Sequence, residues 1–437
     1  MVFADSHRAL TYLTRSCAVP IDVSITTTPI GYLPRPFQPE DYYTSSIPWP
    51  DRVQSMVLGG DCKKIEATLR RLCPLVPLLR SLEFKGDPAW TPSPQETPGA
   101  FNLPREIFGG QAPPLRNLSL KFIPPPFIRK LPFTNLTSLT WVNPKGWRVE
   151  VRALLQLLRS APLLEVLTLE LGIQSASVVE GMTIVSLNEL RELTWSNFEG
   201  TVSLTSCLST PKLRSLTLKV TPNRATRRTD LASILPPHEG HFPLLVEPTS
   251  IKYTTRECTR SCQFQSPTGY ISVTALPSAE KFEACTPWFL RNAAIPLEQI
   301  KHITIQGDYP QLGEFPTERF ESLETLELAD GGNSYFKLIR PNFHGPTPFV
   351  PFPALREVRI AFNPTISPAR LAKILEQRKQ AGREVKTFRI QGECNKALNG
   401  DVAKIRKSVG EVVLQITHNI GCAEDHPQAG HHDCIIQ

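Results

Sequence analysis

The chain contains 437 residues, of which 41% are hydrophobic and 20% charged, a balance typical of a folded protein rather than a disordered one. Its net charge of +7 is mild for this length and is not concentrated in a basic arm of the kind that binds nucleic acid. No apolar run reaches the roughly eighteen residues of a membrane helix, and the N-terminus lacks a secretory signal. We therefore expect a protein of the cytoplasm or nucleus, with reduced cysteines, that binds neither nucleic acid nor membranes.

One apolar pattern recurs along the chain: an apolar residue, two variable residues, a second apolar residue, one variable residue and a third apolar residue. First positions are 36, 21, 28, 26 and 23 residues apart from Leu79 to Leu213, and 23, 32, 30 and 24 residues apart from Ile300 to Val409. Leucine-rich repeats have about 20 to 29 residues per unit, so the longer spacings require loop insertions. The copies are Val53-Met56-Leu58, Leu79-Leu82-Phe84, Leu115-Leu118-Leu120, Leu136-Leu139-Trp141, Leu164-Leu167-Leu169, Leu190-Leu193-Trp195, Leu213-Leu216-Leu218, Ile300-Ile303-Ile305, Leu323-Leu326-Leu328, Leu355-Val358-Ile360, Val385-Phe388-Ile390 and Val409-Val412-Leu414.

The pattern predicts a fold of the α/β class, a leucine-rich-repeat solenoid. Side chains alternate between the two faces of a strand, so the last two apolar residues of each copy point inward. Stacked units form a curved horseshoe with parallel strands on the concave face and helices or irregular arcs on the convex face. Apolar spacing predicts helices over residues 63–72, 151–158 and 368–375. Trp141 and Trp195 stand at inward positions and are expected in the core.

In chain order, the pattern divides the sequence into five regions. Residues 1–48 form an N-terminal cap of helix and strand, and residues 49–220 form the first repeat arc. Residues 221–296 form an irregular insertion that contains strands and continues the solenoid. Residues 297–417 form the second arc with a C-terminal cap, and residues 418–437 form a flexible tail.

The irregular insertion has its own strand signals. Residues 250–254 and 271–274 are predicted strands, and residues 262–265 form a third, with a turn at residues 267–269. We expect a hairpin-like variation that keeps the sheet continuous. The alternative is a break between two separate arcs.

Two groups of metal-ligating side chains lie outside the repeats, and neither is expected to hold a metal. Cys258 and Cys262 have a spacing that zinc uses, but only Cys285 and His241 are near them in the sequence. The tail holds a denser set with almost no apolar residues to fold around an ion. No nucleophile elbow, phosphate loop or His-Glu-x-x-His motif occurs, so we expect no catalytic residue, no cofactor and no enzyme. The tail's ligating residues are Cys422, His426, His431, His432 and Cys434.

The candidate binding surface is the concave face, formed by the residues that flank the inward apolar positions. The alternative for each of these residues is a strand position that is only solvated. In the first arc they are Glu83, Lys85, Ser119, Lys121, Thr168, Glu170, Thr194, Ser196, Thr217 and Lys219. In the second arc they are His302, Thr304, Gln306, Glu327, Arg359, Arg389 and Gln391.

Three stretches resemble the leucine-rich-repeat region of F-box proteins from mushroom-type fungi. Residues 10–25 are similar to the helix, small-residue turn and first strand that follow the F-box. Residues 49–84 are similar to the next strand, helix and strand, and residues 353–412 to the terminal repeats and cap. The resemblance implies that the repeats select a protein substrate, while the F-box connects it to the adaptor of a cullin-type ubiquitin ligase.

The F-box itself has no match in the sequence and would precede residue 1. Two hypotheses stay open: a substrate-recognition arm whose F-box is missing by truncation, and a free-standing repeat scaffold without a ubiquitin-ligase link. Under both, the partner is a protein bound on the concave face of a monomer. The ligase adaptor is a partner only if an upstream F-box exists.

Overall fold

The computed structural model divides the chain into two compact units, Met1–Leu213 and Arg214–Gln437. Each unit is built mainly of strands with few helices, and its strands form a long sheet, so the chain is α/β in class. Among the described residues, no helix is both long and apolar enough to cross a membrane. The structure describes residues 15, 19–26, 50–60, 65, 76–86, 114–123, 134–143, 148–174, 184–197, 207–220, 247–256, 259–275, 296–307, 315–329, 336–343, 349–361, 367–392, 398–416 and 433–435.

The first unit is organised around parallel strands. Its elements are β1 (Ile21–Thr26), β2 (Val53–Gly59), β3 (Ser81–Lys85), β4 (Asn117–Lys121), β5 (Ser138–Val142), β6 (Arg148–Glu150), α1 (Val151–Arg159), β7 (Val166–Glu170), β8 (Gly172–Gln174), β9 (Val185–Ser186), β10 (Glu192–Asn197) and β11 (Leu208–Ser209). The main sheet has the order β1-β2-β3-β4-β5-β7-β10, and every neighbouring pair is parallel. Two short parallel pairs, β6 with β8 and β9 with β11, lie outside it.

The register of the main sheet aligns the inward apolar residues of successive strands. Each of these residues is buried, and full burial of one such side chain stabilises the fold by about 1.5–3 kcal/mol. Trp141 and Trp195 belong to the second row with only 3% and 2% exposure, which confirms them as core residues. The first row is Met56, Leu82, Leu118, Leu139, Leu167 and Leu193; the second is Leu58, Phe84, Leu120, Trp141, Leu169 and Trp195.

A common hydrogen-bonded turn leads into many of the strands. The first apolar residue of the repeat donates its N–H to the carbonyl three residues earlier, as Leu79 does to Val76 at 3.1 Å and Leu355 to Phe352 at 3.1 Å. Proline often takes the second position of this turn, where its fixed φ suits a type I or II turn. The prolines at that position are Pro77, Pro162, Pro211 and Pro353.

Helix α1 confirms the helix predicted over residues 151–158. It buries Leu154, Leu155 and Leu158, which lie on one side at helical spacing, and it packs near β6 and β9. The helix ends at Arg159 and is capped by Ser160, whose hydroxyl donates to the carbonyl of Leu157 at 2.6 Å. Of the helix predicted over residues 63–72, only Ile65 is described, and it is helical and buried.

The second unit is built on a sheet of mixed direction. Its elements are β12 (Ser215–Val220), β13 (Ser250–Arg256), β14 (Thr259–Ser266), β15 (Gly269–Ala275), β16 (His302–Gln306), β17 (Thr325–Ala329), α2 (Phe336–Ile339), β18 (Glu357–Ala361), α3 (Pro368–Gln380), β19 (Thr387–Gly392), α4 (Leu398–Arg406), β20 (Glu411–Ile416) and β21 (Asp433–Ile435). The sheet order is β12-β15-β14-β13-β16-β17-β18-β19-β20-β21. Strand β12, at the end of the predicted first arc, thus belongs to the second unit.

The irregular stretch of the sequence forms an antiparallel meander within this sheet. Strand β14 runs antiparallel to both β13 and β15, whereas β15 is parallel to β12 and β13 is parallel to β16. The apolar rows continue across the meander, because Leu216, Ile271, Phe264, Ile251 and Ile303 are aligned. Within this unit, hydrogen-bonded pairing is therefore unbroken from β12 to β20.

Helix α3 is fixed to the preceding segment by a buried arginine. Arg378 has no exposed surface, and its guanidinium donates to the carbonyls of Ile339 (3.3 Å), Pro351 (2.6 Å) and Phe352 (3.0 Å). Burial, with a smaller effect from Arg383, lowers the pKa of Arg378 to about 10, so it is still charged at neutral pH. The sequence pattern did not predict this contact. The helix begins as predicted, with the hydroxyl of Ser367 accepting the backbone N–H of Arg370.

The chain returns to the sheet near its C-terminus. Residues Asp433–Ile435, within the predicted flexible tail, form β21 and pair antiparallel with residues 413–415 of β20. An edge strand has unpaired backbone groups, and a short antiparallel segment satisfies some of them. The other predicted tail residues, Cys258, Cys285 and His241 lie outside the described residues.

Truncation of an inward leucine should destabilise the second unit strongly. We expect Leu326→Ala, at a position with 0% exposure, to cost about 2–5 kcal/mol through lost burial and a residual cavity. Thr325→Ala, at the preceding half-exposed position, should cost far less. Chemical denaturation of both variants measures the difference, and equal costs would show that the assigned strand register is wrong. Leu167→Ala, compared with Thr168→Ala, makes the same test in the first unit.

Removal of the buried guanidinium should also weaken the second unit. Arg378→Met keeps much of the side-chain volume but leaves three carbonyls without their donor, which should cost about 3 kcal/mol in unfolding free energy. Arg370→Met, an exposed position on the same helix, is the matched control and should change little. A comparable loss in both variants would contradict a structural role for Arg378.

Candidate binding surface

In the second unit, strands β16 to β19 present half-exposed polar side chains on the face opposite the apolar rows. The inward residues, such as Ile303 and Leu326, are fully buried, while their neighbours His302, Thr304 and Glu327 are partly exposed. This follows from the period-two alternation of strand side chains. We call this set the polar face; its charged or hydrogen-bonded members are His302, Thr304, Glu327, Glu357, Arg359 and Arg389.

One part of the polar face is a hydrogen-bonded group on β16 and β17. Thr304 and Glu327 lie directly opposite each other in the register, and the Thr304 hydroxyl donates to Oε2 of Glu327 at 3.4 Å. Nε2 of His302 lies 3.2 Å from the Thr304 hydroxyl and 3.8 Å from the same carboxylate oxygen. These contacts orient the imidazole and the carboxylate toward each other.

The other part is an arginine pair held by one carboxylate. Arg359 on β18 lies directly opposite Arg389 on β19. Glu357, two residues before Arg359 on the same face, accepts from Nε (3.0 Å) and Nη2 (3.2 Å) of Arg359. Nε of Arg389 donates to the same Glu357 carboxylate. One carboxylate therefore positions two guanidinium groups on adjacent strands.

The electrostatics of the polar face follow from this packing. Burial lowers the pKa of His302; the negative charge of Glu327 opposes this effect and the positive charge of Arg359 adds to it. Burial acts to raise the pKa of Glu357, but the hydrogen bonds and charges of Arg359 and Arg389 outweigh it and hold that pKa below its usual value. At neutral pH the histidine is therefore uncharged and Glu357 is ionised, an arrangement suited to hydrogen bonding and ion pairing.

The predicted residues of the first unit lie on the equivalent face of its sheet. Glu83 pairs with Lys121 of the neighbouring strand at 2.8 Å and with Lys85 at 3.5 Å. Ser119, Thr168, Glu170 and Thr194 are all partly exposed. The register aligns Ser119, Thr140, Thr168 and Thr194 in one row of hydroxyl groups.

Some residues behave differently from the sequence prediction. Ser196 has only 1% exposure and does not contribute to a binding face, because a short side chain is readily shielded by longer neighbours such as Glu170 opposite it. Thr217 and Lys219 are partly exposed but belong to β12 of the second unit. Gln306 and Gln391 are exposed or partly so at the ends of β16 and β19.

Glu357 and Thr140 are among the polar residues of these faces that the sequence pattern missed. Glu357 occupies the same strand position as His302, directly before an inward residue, and Thr140 occupies the same position as Thr168. Consistent use of the repeat register would have found both. The pairing of Glu357 with Arg389 had no sequence signal, because it joins residues 32 positions apart.

The polar face offers charged and hydrogen-bonding side chains. Among the described residues, no group of three or more histidine, cysteine, aspartate or glutamate side chains is arranged to hold a metal ion. Cys207 and Cys262, both buried in the described part, are free thiols whose pKa values are raised by burial.

No protein-family model matches the chain, and no curated protein matches it.

The charge state of Glu357 should make stability depend on pH. Its folded-state pKa is lowered, so the ionised carboxylate stabilises the fold above its ordinary pKa near 4.5, and this contribution is lost as the pH falls below that value. We expect Glu357→Gln to cost about 1 kcal/mol at pH 7, since the site is partly exposed, and progressively less toward pH 3. Urea unfolding at several pH values measures the trend.

A control separates this contribution from general acid sensitivity. Glu411→Gln removes an exposed carboxylate from β20, two strands away from Glu357 on β18. Its effect at neutral pH should be smaller than that of Glu357→Gln. A pH-independent cost for Glu357→Gln would contradict the ion-pair assignment.

Proposed function

We propose that the chain is a non-enzymatic, protein-binding module of the leucine-rich-repeat type, curved as a solenoid with the polar strand residues on its concave face. Three regularities support this architecture: one main strand per repeat, a recurrent turn into the strand, and parallel pairing in register. The parallel pairing runs along β2-β3-β4-β5-β7-β10 and along β16-β17-β18-β19-β20. Units that each contribute one strand and stack on their neighbours are characteristic of repeat proteins.

The polar face is the observation that carries the binding role. Side chains on β16 to β19 are half-exposed, and neighbouring residues orient them by hydrogen bonds and ion pairs. Side chains that are already oriented lose less conformational entropy when a partner binds. A regular strand scaffold that holds polar groups in fixed rows therefore suits the recognition of a folded or extended protein segment.

The proposed cellular role is substrate recognition for an F-box type ubiquitin ligase in the cytoplasm or nucleus. It rests on the likeness of residues 10–25, 49–84 and 353–412 to the repeats of fungal F-box proteins. In that role the repeats bind the substrate, and an F-box carries the ligase adaptor. A free-standing scaffold would bind a protein through the same face without leading to its ubiquitination.

Site-specific crosslinking tests the binding role. A photo-crosslinking amino acid at Gln391, exposed at the end of β19 on the polar face, should capture a defined protein from lysate of the source organism. The same group at Lys373, exposed on helix α3, is the matched control and should not capture it. With the purified partner, Glu327→Arg should weaken binding about tenfold, as expected for the loss of a charged contact.

The outcomes test the binding face first and then separate the ligase role from the scaffold role. Equal capture from Gln391 and Lys373, or unchanged affinity after Glu327→Arg, would contradict binding through the polar face. An in-frame F-box in the upstream transcript, together with partner ubiquitination that depends on it, would support the ligase role. A captured partner that is never ubiquitinated would support the scaffold instead.

A further inference from the structure

Two arginines on the polar face lie side by side on adjacent strands and share one carboxylate as a hydrogen-bond acceptor. Arg359 and Arg389 are paired in register across β18 and β19, and like charges in directly opposed positions of a sheet destabilise it. Both contact a single carboxylate, that of Glu357. The next carboxylate along the row, Glu327 on β17, lies directly opposite Arg359 and accepts a hydrogen bond from Thr304, and its negative charge acts on Arg359 rather than on Arg389.

The hydrogen bonds to Glu357 use only part of each guanidinium. Arg359 donates through Nε and Nη2, and Arg389 donates through Nε. Within the part of the chain that the structure describes, Nη1 of Arg359 and both Nη nitrogens of Arg389 have no acceptor. The two side chains keep 35% and 34% of their surface exposed, so these donors remain accessible from solvent.

We infer that Arg389, with Arg359 beside it, forms a carboxylate-binding site that takes one aspartate or glutamate side chain of a partner peptide. The two Nη nitrogens of a guanidinium form a planar fork that matches the two oxygens of a carboxylate. Glu357 occupies Nε of Arg389 and holds the group in one orientation, which lowers the entropy lost on binding. The inference rests on the proposed function, because it identifies what the polar face recognises in its protein partner.

The surrounding charges restrict the ligand to an isolated acidic residue. Adjacent strands are about 4.8 Å apart, so Glu327 lies about two strand spacings, or roughly 10 Å, from Arg389. Glu357 is ionised within the pair itself. A run of acidic residues or a polyphosphate would bring several negative charges close to both carboxylates, whereas a single carboxylate at the Nη nitrogens of Arg389 brings only one.

Selection from a random phage-displayed peptide library on the full chain tests the site. We expect peptides enriched on the natural protein to carry aspartate or glutamate at one fixed position. Synthetic copies of an enriched peptide should lose at least tenfold in affinity when that residue becomes glutamine or asparagine. Inorganic phosphate should compete only weakly, because the site is shaped for a planar carboxylate.

Conservative variants separate the guanidinium fork from simple charge. Arg389→Lys keeps the charge but removes the guanidinium fork, and it should lower the affinity for the enriched peptide about tenfold. Arg359→Lys should lower this affinity less. Arg356→Lys, an exposed arginine directly before β18, is the matched control and should bind normally. Circular dichroism melts of each variant identify any loss of folding.

Several outcomes would overturn the inference. These are enrichment without an acidic preference, equal losses in Arg356→Lys and Arg389→Lys, or full affinity in Arg389→Lys. The absence of any enriched peptide also counts against it. In each case the proposed binding function would still stand if a protein is captured from Gln391 and Glu327→Arg weakens its binding. The failure of this inference is therefore distinguishable from the failure of the proposed function.

Discussion

Pairing of neighbouring strands in a constant register is the constraint on which both units depend. Leu326 lies beside Val358, and Val358 lies beside Phe388, so the inward residue of one strand always meets the inward residue of the next. A shift of one residue would turn a whole set of apolar side chains toward solvent. The same alignment that builds the core therefore places the polar residues in rows on the opposite face.

The meander of the second unit obeys this constraint while changing strand direction. Between β12 and β16 the sheet adds three strands, and because their number is odd, β13 again runs parallel to β16. Gly269 starts β15 at a point where a Cβ atom would collide with the carbonyl of Arg214, so a side chain there would force β15 away from β12. Without a side chain, the residue allows the close approach that keeps the rows aligned.

Arginines of the second unit serve two different purposes, which their surroundings determine. Arg378 is buried and both of its Nη nitrogens donate to backbone carbonyls, so it joins helix α3 to Ile339, Pro351 and Phe352 and has no surface for a ligand. Arg359 and Arg389 are instead held at the surface by the single carboxylate of Glu357. Burial of donors favours stability in the first case, and partial exposure favours recognition in the second.

The sequence by itself determined which residues point inward and which point outward. The repeat pattern identified Leu167, Leu326 and Trp195 as core, because strand alternation is a local property that needs no knowledge of distant residues. It also identified His302, Thr304 and Arg389 as outward polar residues, for the same reason.

Only the tertiary structure decided which outward residues meet. The contact between Glu357 and Arg389, the carbonyls around Arg378 and the antiparallel place of β14 each join segments that the local pattern treats independently. The return of β21 to the sheet edge is of the same kind. Such contacts depend on the register and order of strands, which backbone pairing and packing between distant segments establish. The local alternation of strand side chains therefore determines which face of the sheet each residue lies on. Which residues become its neighbours on that face is determined only when the strands pair in the assembled sheet.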